Sequence, residues 1–444
     1  MLVIIHGWSD THQSFARLGR RLVSDGVIPG VTHVRLGDYV SLDDDVTFDD
    51  LIHALQVAWK KEQLPTAPRS VDVVVHSTGG LVVRHWMTTF FKPSTNPIKR
   101  LLMLAPANFG SPLAHKGRSF VGRIVKGFKS ERRFHTGTHI LKGLELASPF
   151  SWELSQRDRF GSETWYGPGR LLCTVLVGTS GYSGISAAAN ENGTDGTVRV
   201  STAHLNPALV TFDFSVDPQK PTFSFQEANG TTAFARISND NHSTIALKDN
   251  GPKHPRTLDF IKEALQVTDG TFPAFVDRLD AFSDAERVAG AARLFTQAYQ
   301  NTVVRLTDNM DAFVSDYFLE VFAKDKDGKK VDDPLTRVIQ EDVFEKVHAY
   351  GDNAAYRSLL FNTTALYDRV VARGSPLFVS VTAMPDIGKT KTVGYSTFGY
   401  EDIGSIKLTP DRLRKLFQPD RTVLVDMKLL REQTEKVFRI LKLS

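Results

Sequence analysis

Long apolar runs alternate with amphipathic stretches over the first half of the chain. The apolar runs are Leu2 to Ile5, Val71 to Val75, Ile98 to Pro106 and Leu171 to Val177. The amphipathic stretches, in which apolar residues recur with helical spacing, are Phe15 to Val23, Phe48 to Lys60 and Leu258 to Leu265. All-apolar strands are typical of a sheet that is covered on both faces. The alternation therefore predicts an α/β fold with a parallel sheet.

A different pattern begins around Thr268 to Pro273. One or two helices are predicted at Ala281 to Thr302, and short alternating runs then follow, punctuated by Gly and Pro as β-strands usually are. These runs are Val303 to Leu306, Tyr317 to Phe322, Ser358 to Asn362, Phe378 to Thr382, Lys407 to Thr409 and Val423 to Met427. We predict a first domain over residues 1–268, which includes a hairpin at Phe212 to Phe225. A mostly β domain of unknown role over residues 269–444 follows, and a β-sandwich is one architecture for it.

The composition is that of an ordinary globular protein. Of the 444 residues, 41% are hydrophobic and 23% are charged, and a net charge of +4 is too small to indicate nucleic-acid binding. Cys173 is the single cysteine, so no internal disulfide is expected. No run is long enough to span a bilayer, and Met1 to Trp8 lacks the flanks of a signal peptide. The expected compartment is the cytoplasm, with leaderless export as the alternative.

Residues 114–160 interrupt the alternation of strands and helices with a basic insertion. Its basic residues between positions 116 and 142 are Lys116, Arg118, Arg123, Lys126, Lys129, Arg132, Arg133 and Lys142. Glu131 is the one acidic residue in that interval, and apolar side chains are interleaved. Such an insertion lies where a lid would lie, and both its charge and its apolar side chains favour an anionic membrane surface. The alternative is a solvated helical excursion.

The strongest local signal is the segment Val71-Asp72-Val73-Val74-Val75-His76-Ser77-Thr78-Gly79-Gly80, where a buried strand stops and a helical pattern starts at once. A strand-to-helix turn of this kind exposes one serine hydroxyl, here that of Ser77, at the carboxyl edge of the sheet. Gly79 and Gly80 allow the helix to approach the strand. The turn matches the G-x-S-x-G motif except that Val75 replaces the first glycine. The alternative is that Ser77 is only a helix N-cap.

Two later loops provide an acid and a histidine in the order that follows such a serine in the chain. Asp195 comes after a late strand and a loop rich in Gly, Ser, Ala and Asn, although Asp-Gly is also common in turns for local reasons. His242 lies in the turn-rich loop Asn239 to Thr244, after the last predicted strand of the first domain. That position favours His242 over His204 and His254.

An acidic cluster, Asp43-Asp44-Asp45 followed by Asp49 and Asp50, raises the question of a cation site. Its spacing does not match that of a calcium-binding loop. Acidic residues also favour the first turn of a helix, such as the one predicted at Phe48 to Lys60. We therefore predict a helix start there and no metal site.

With these residues identified, residues 1 to about 270 resemble the α/β-hydrolase superfamily, and within it the bacterial triacylglycerol lipases and lipase-like esterases. The segments that carry the resemblance are His6-Gly7-Trp8, His76-Ser77-Thr78-Gly79-Gly80, Pro106-Ala107-Asn108-Phe109-Gly110-Ser111-Pro112, Asp195-Gly196-Thr197-Val198 and Asn241-His242-Ser243. Their agreement in order is more specific than any one of them alone. The early strands of many members are not found before His6, and the β-rich region lies outside the resemblance.

The resemblance implies hydrolysis of acyl esters, with Ser77 as nucleophile, His242 as general base and Asp195 as the acid that orients it. The backbone N–H groups of Trp8 and Thr78 are the candidates for the oxyanion hole. The implied substrate is a lipid or small ester, as for a lipase, esterase or phospholipase, and no metal or cofactor is required. Two alternatives stay open. One is an acyltransferase, thioesterase or amidase with the same triad, and the other is a catalytically silent binding protein.

Overall fold

The computed structural model describes residues 1–6, 15–39, 45–114, 137–248, 250–324, 331–374, 376–384 and 406–431. The chain divides into two compact units. Unit 1 comprises Met1–Pro207, Glu227–Ala298 and Asp420–Thr422, and unit 2 comprises Ala208–Gln226, Tyr299–Pro419 and Val423–Ser444. None of the helices in the described ranges is both long and apolar enough to cross a membrane.

A six-stranded parallel sheet forms the centre of unit 1. Its strands are β1 (Leu2–His6), β2 (Val31–Arg35), β3 (Val71–His76), β4 (Ile98–Leu104), β5 (Leu172–Gly178) and β8 (Ala233–Ile237). They follow the order β2-β1-β3-β4-β5-β8, and every neighbouring pair is parallel. The predicted parallel α/β sheet is confirmed. Because parallel strands all end at the same edge, the loops after β3, β5 and β8 meet there.

Helices cover both faces of this sheet. They are α1 (Ala16–Ser24), α2 (Phe48–Lys61), α3 (Gly79–Phe90), α4 (Thr138–Leu144), α5 (Pro149–Asp158), α6 (Val200–Ala203), α7 (Pro255–Ala264) and α8 (Phe272–Gly290). Alternate residues of β3 enter two different cores. Val73 packs in one buried cluster with Leu55 of α2 and Trp86 of α3, whereas Val74 lies in another with Phe260 of α7. Burial on both faces explains why the strands are apolar throughout.

Only part of the predicted insertion at 114–160 lies in the described ranges. Residues 115–136, which carry most of the basic residues between 116 and 142, lie outside them. The described remainder contains the two helices α4 and α5. The lid therefore stays a prediction.

Unit 2 is mostly β, as predicted for the C-terminal region. Its strands are β6 (Ala208–Asp213), β7 (Thr222–Glu227), β9 (Tyr299–Asp308), β10 (Asp316–Ala323), β11 (Phe344–Ala349), β12 (Tyr356–Asn362), β13 (Leu377–Met384), β14 (Ile406–Leu408) and β15 (Thr422–Leu429). One sheet has the order β11-β12-β9-β15-β6-β7, and the other has the order β10-β13-β14. Val304 and Leu359 of the first sheet share a buried cluster with Val381 and Leu408 of the second. The two sheets therefore enclose a common core.

Short helical segments complete both units. Unit 2 contains α9 (Asp333–Val338), α10 (Thr363–Arg369) and α11 (Pro410–Leu416). The 3-10 turns are Leu36–Asp38, Gly184–Ala189, Thr244–Ala246, Leu294–Thr296 and Val371–Arg373, and a π-helical turn lies at Ile339–Val343.

The two units do not follow the predicted boundary at 268/269. The hairpin of β6 and β7 lies in unit 2, because β6 pairs in parallel with β15, far away in the sequence. Helix α8 lies in unit 1 instead of the second domain. The helix predicted to reach Thr302 ends at Gly290, and β9 starts at Tyr299. Its first residues include buried polar side chains, Asn301 among them, which hide the strand pattern.

Candidate active site

Ser77 occupies the turn between β3 and α3 in a strained backbone conformation. Its φ of 55° lies in the left-handed region, which is unusual for a residue other than glycine and costs on the order of 1–3 kcal/mol. Three backbone hydrogen bonds hold the turn. The Ser77 N–H donates to the Leu104 carbonyl at 3.1 Å, and the Ser77 carbonyl accepts from the N–H groups of Gly80 and Ala107 at 3.2 and 3.3 Å.

The two glycines after the serine are required by close packing of α3 against its neighbours. A Cβ on Gly80 would lie 2.9 Å from Cβ of Pro106, and one on Gly79 would lie 3.2 Å from Cβ of Val75. The valine that replaces the first glycine of the motif is therefore accommodated because position 79 has no side chain.

The structure brings the three predicted triad residues together. The Nε2 atom of His242 lies 3.1 Å from Oγ of Ser77, and its Nδ1 atom lies 2.9 Å from Oδ2 of Asp195. Asp195 and His242 are buried, and Ser77 is partly accessible. A carboxylate accepts from Nδ1–H, so the neutral imidazole presents an unprotonated Nε2 to the serine hydroxyl. This tautomer is the one that can take the serine proton.

Asp195 is fixed by bonds to its own loop. Its Oδ1 accepts from the backbone N–H groups of Thr197 at 2.9 Å and Val198 at 2.7 Å. The Asp195 carbonyl also accepts from the His242 N–H at 3.0 Å. Ser111 lies in one of the segments that carry the resemblance to the α/β-hydrolases, and its hydroxyl donates to the Thr197 carbonyl at 2.6 Å. These bonds fix the loop and leave Oδ2 of Asp195 for the imidazole.

The loop that carries His242 is anchored by Asp240, which is fully buried. Asp240 accepts hydrogen bonds from the hydroxyls of Thr244 at 2.8 Å and Thr257 at 2.5 Å, and from the Lys253 N–H at 2.7 Å. Sequence reasoning missed this residue, although an aspartate followed two positions later by the candidate histidine is a loop signal. Asp240 fixes the backbone from which the imidazole projects.

The two other candidate histidines have structural roles. His204 is half-buried, its Nδ1 donates to the Asp420 carbonyl at 2.8 Å, and its ring stacks on Phe234. Burial lowers the pKa of His204 to about 4, so it is neutral near pH 7. Nδ1 of His254 accepts the Arg256 N–H at the start of α7. Neither histidine forms a hydrogen bond to Ser77, and the choice of His242 agrees with the geometry.

A second imidazole lies next to the triad, and sequence reasoning missed it. The Nε2 atom of His76 lies 2.8 Å from the carbonyl oxygen of His242, to which it donates because a carbonyl only accepts. The centroids of the His76 and His242 rings are 4.5 Å apart. Phe15 packs against the His76 ring in a T-shaped arrangement, with the two ring centroids 5.7 Å apart. His76 therefore holds the backbone of His242 from the strand that ends at Ser77.

Helix α3 is held by a buried ion pair. Nε and Nη2 of Arg84 donate to Asp158 of α5 at 2.7 and 2.9 Å, and Nη1 donates to the Asn108 carbonyl at 3.2 Å. Tyr166 donates its hydroxyl to the same carboxylate at 2.6 Å. Arg84 and Asp158 are both fully buried. A buried arginine in an otherwise apolar helix is a signal that sequence reasoning overlooked.

One of the two oxyanion-hole candidates can be placed. Thr78 directly precedes α3, and its backbone N–H donates to no other residue in the described ranges. The N-terminus of a helix carries unsatisfied N–H groups and partial positive charge, which suits an oxyanion. Trp8 lies outside the described ranges, so its part in the oxyanion hole stays a prediction.

The acidic residues before α2 act as a helix start. Thr47 and Asp50 form a capping box, in which each side chain accepts from the other residue's backbone N–H. Asp49 lies 2.7 Å from Nε2 of His85. Asp43 and Asp44 are not among the described residues. Within the described part of the chain, no group of three or more His, Cys, Asp or Glu side chains has the arrangement of a metal site.

The sheet order, the strained serine turn and the Ser–His–Asp geometry define an α/β-hydrolase fold. No model of a known protein family matches the chain, and no curated protein matches its sequence. Among solved structures, it is similar to phospholipase PlaB from Legionella pneumophila, with a TM-score of 0.81 and 24% identity over 100% of this chain and 96% of PlaB. PlaB in complex with thio-NAD is similar to the same extent, with a TM-score of 0.80 and 24% identity over the same shares. The predicted fold is confirmed, and the likeness covers the segments of both units.

Proposed function

We propose that the chain is a serine-dependent carboxylic ester hydrolase that cleaves acyl esters of lipids, with phospholipids as the substrate class. The observation that carries this proposal is the continuous hydrogen-bonded path from Ser77 through His242 to Asp195, at the carboxyl edge of the parallel sheet. The likeness to the phospholipase PlaB supports the choice of lipid among the possible esters.

Catalysis would proceed through an acyl-enzyme. Ser77 attacks the ester carbonyl carbon while His242 takes the hydroxyl proton at Nε2, and the same imidazolium then protonates the leaving alcohol. Asp195 keeps Nδ1 protonated and stabilises the imidazolium charge. Water, activated by the neutral imidazole, attacks the acyl-enzyme and releases the carboxylic acid. Each step moves one proton through Nε2, so the Ser77–His242 bond controls both halves of the reaction.

The developing oxyanion would be held by backbone N–H groups. The Thr78 N–H lies next to the nucleophile at the start of α3, and Trp8 would supply the second donor. Removing one such donor typically costs about 3 kcal/mol of transition-state stabilisation. We infer that the buried Arg84–Asp158 pair supports this geometry, because it fixes the helix whose first turn carries the Thr78 donor.

The basic segment between 116 and 142 would bring the active site to anionic lipid. Seven of its eight basic residues lie outside the described ranges, so this part of the proposal rests on charge and on interleaved apolar residues. The proposed compartment is the cytoplasm, where the single buried thiol of Cys173 would stay reduced. Fractionation of the native host, with the full-length chain followed by antibody, tests the compartment.

Labelling with a fluorophosphonate probe tests the catalytic assignment. We expect the folded chain to be labelled at Ser77, and we expect Ser77→Ala to lose both the label and hydrolysis of a short-chain ester. Ser70→Ala is a matched control, since the Ser70 hydroxyl donates to the Ala67 carbonyl, away from the triad. Unchanged hydrolysis by Ser77→Ala would refute the assignment. A competing alcohol or amine acceptor in the same assay separates a hydrolase from an acyltransferase.

A further inference from the structure

A cleft in unit 2 lies where its two sheets both end in an edge strand. Strand β10 is at the edge of the three-stranded sheet, and β11 is at the edge of the six-stranded sheet. The cleft has a volume of about 440 Å³, and its described lining comes from β10, β11, β12 and the π-helical turn. This volume is within the roughly 300–1,000 Å³ that is usual for small-molecule pockets.

The wall of the cleft is mainly apolar and is incompletely covered. Its inward-facing apolar side chains are Leu319, Val321, Ile339, Phe344, Val347 and Leu359. Leu319 and Val321 are half-buried although they pack against the common core of the two sheets, and Val347 is 49% exposed. Because removal of apolar surface from water is favourable, a hydrocarbon chain would be stabilised along this wall.

One end of the cleft carries a guanidinium group. Arg357 and Leu359 are alternate residues of β12, so their side chains project from the same face of the six-stranded sheet. The guanidinium carbon of Arg357 lies 3.7 Å from the centroid of the Tyr317 ring. Tyr317 alternates with Leu319 on β10 in the same way, so both strands place the positive charge at the same end of the apolar wall.

The guanidinium of Arg357 is held in place and retains two donors. Its Nε donates to the Ala354 carbonyl at 3.1 Å, and Nη1 and Nη2 donate to the carbonyls of Tyr317 and Ser315 at 2.6 and 2.8 Å. All of its bonds to described residues therefore end on backbone carbonyls and not on a carboxylate. A guanidinium has five N–H groups, so one remains on each terminal nitrogen. Two donors of one cation match the two oxygens of a carboxylate.

The acidic residue in the described lining does not project into the cleft. Glu320 lies between Leu319 and Val321 on β10, so its side chain projects from the opposite face of the three-stranded sheet. Its carboxylate accepts from the hydroxyl of Ser380, its partner on β13, at 3.2 Å. The inward-facing described side chains thus combine an apolar wall with the positive charge of Arg357.

We propose that this cleft binds a fatty acid, with its carboxylate at Arg357 and its alkyl chain along the apolar wall. From Tyr317 to Val321 the strand β10 rises by about 13 Å, which is the length of wall beside the chain. This length is close to half of the roughly 30 Å hydrocarbon core of a bilayer, the depth that one lipid chain spans. A single chain with one anionic end therefore matches the cleft, whereas a phospholipid carries two chains.

A fatty acid is also the product released when an acyl ester is hydrolysed, and this link rests on the proposed function. Binding to unit 2 does not rest on it, because Ser77, Asp195 and His242 all belong to unit 1. A chain whose nucleophile is removed should therefore still bind the acid in unit 2, which allows the two proposals to fail separately.

The test uses the full chain carrying Ser77→Ala and a laurate analogue with a photoreactive diazirine near its methyl end. We expect cross-links, mapped by mass spectrometry, on peptides that contain Leu319, Val321 or Phe344, besides any in unit 1. Unlabelled laurate should suppress the cross-links in unit 2 at about tenfold lower concentration than dodecanol or dodecylphosphocholine, because only laurate offers a carboxylate to the two donors. Each competitor is used below its critical micelle concentration. Cross-links confined to unit 1, or equal competition by the three compounds, would overturn the proposal.

Removal of the positive charge tests the carboxylate site. Arg357→Gln should weaken competition by laurate about tenfold and leave that by dodecanol unchanged. Arg412→Gln is the matched control, because Arg412 also lies over an aromatic ring, that of Phe223, and also donates to a backbone carbonyl, that of Lys407. Arg412 is not among the described residues that line the cleft. Equal weakening by the two variants would show that overall charge, and not the cleft, attracts laurate.

A second pair of variants leaves Arg357 and its three bonds intact. Val347→Glu adds a negative charge inside the cleft at a position that is 49% exposed, so it should weaken binding of laurate about tenfold. Val331→Glu is the control, since Val331 is 48% exposed in the same unit and is not among the described lining residues. Circular dichroism checks that all four variants are folded. Equal binding of laurate by the two valine variants would overturn the proposal.

Discussion

Unit 1 and unit 2 place their polar groups differently with respect to their sheets. In unit 1 all six central strands are parallel, and Ser77, Asp195 and His242 reach one sheet edge from three separate loops. In unit 2 the six-stranded sheet contains parallel and antiparallel pairs, and its cavity lies between sheet faces instead of at strand ends. Groups that must exchange protons are gathered at an edge, and apolar space is enclosed between faces.

Replacing the acid of the triad should give the largest effect and should be confined to unit 1. In Asp195→Asn the amide no longer stabilises the imidazolium or the required tautomer, and kcat should fall by about 10³–10⁴ with little change in KM. The measurement is steady-state hydrolysis of a short-chain ester.

The control for this variant is Asp217→Asn, since Asp217 also accepts a backbone N–H, from Gln219 at 2.9 Å. A loss of less than about tenfold in Asp195→Asn would contradict the role given to the carboxylate.

The stability of the protein should depend on pH through His204. Burial lowers the folded pKa of His204 from 6.5 to about 4. Between these values the unfolded chain binds a proton that the folded chain does not, so stability is lost as pH falls from 6.5 towards 4. The loss approaches about 3 kcal/mol at the lower end.

Denaturant unfolding at several pH values checks this sign. His204→Gln should flatten the dependence between pH 6.5 and 4, whereas His139→Gln, at an exposed position of α4, should not. An equal slope for His204→Gln and the unmodified chain would show that another group causes the acid sensitivity.

His76 should act on turnover by positioning His242. His76→Phe keeps the ring but removes the donor to the His242 carbonyl, so we expect kcat to fall about tenfold with KM unchanged. His76→Gln retains an N–H at a similar reach and should restore most of the activity. Hydrolysis of the short-chain ester measures both.

His204→Phe is the matched control for this variant. His204 also donates to a backbone carbonyl, that of Asp420, but forms no bond to a triad residue. It should lose stability without the same loss in kcat. If His76→Gln is as slow as His76→Phe, the ring and not the hydrogen bond is what matters.

The smallest expected effect concerns the basic insertion. Neutralising Arg132 and Arg133 together should slow hydrolysis of anionic vesicles only a few-fold, because the other basic residues of the insertion still attract the anionic surface, and should leave soluble esters unchanged. Lys60→Gln with Lys61→Gln, in the last turn of α2, removes the same charge elsewhere. Equal slowing on both substrates would remove the argument for lipid contact.

The parallel sheet of unit 1 could be predicted because its strands are apolar throughout, and continuous apolar runs indicate burial on both faces of a sheet. Val73, Val74 and Val75 are apolar on both faces, and the serine turn follows at once. Ser77, Asp195 and His242 could also be named, since their chain order constrained the choice. His76 and Asp240 could not, because their roles are bonds to the His242 backbone and to loop groups that lie close only after folding.

Unit 2 was harder to predict for a different reason. Its β6 pairs with β15, so Ala208 aligns with Val423 across nearly half of the sequence, and no local pattern shows such a pairing. The start of β9 could not be recognised from the sequence either, because Asn301 is polar although it is buried, where it bonds with Ser358. Local alternation therefore located most of its strands but could not assign them to a unit.

The most direct test of the central claim is fatty-acid release from anionic phospholipid vesicles by the full chain, beside Ser77→Ala. We predict release by the unmodified chain and none above background by the variant, with both proteins equally folded by circular dichroism. Equal release from the two proteins, or no release from a folded chain that carries an intact Ser77, would contradict the proposed phospholipid hydrolase.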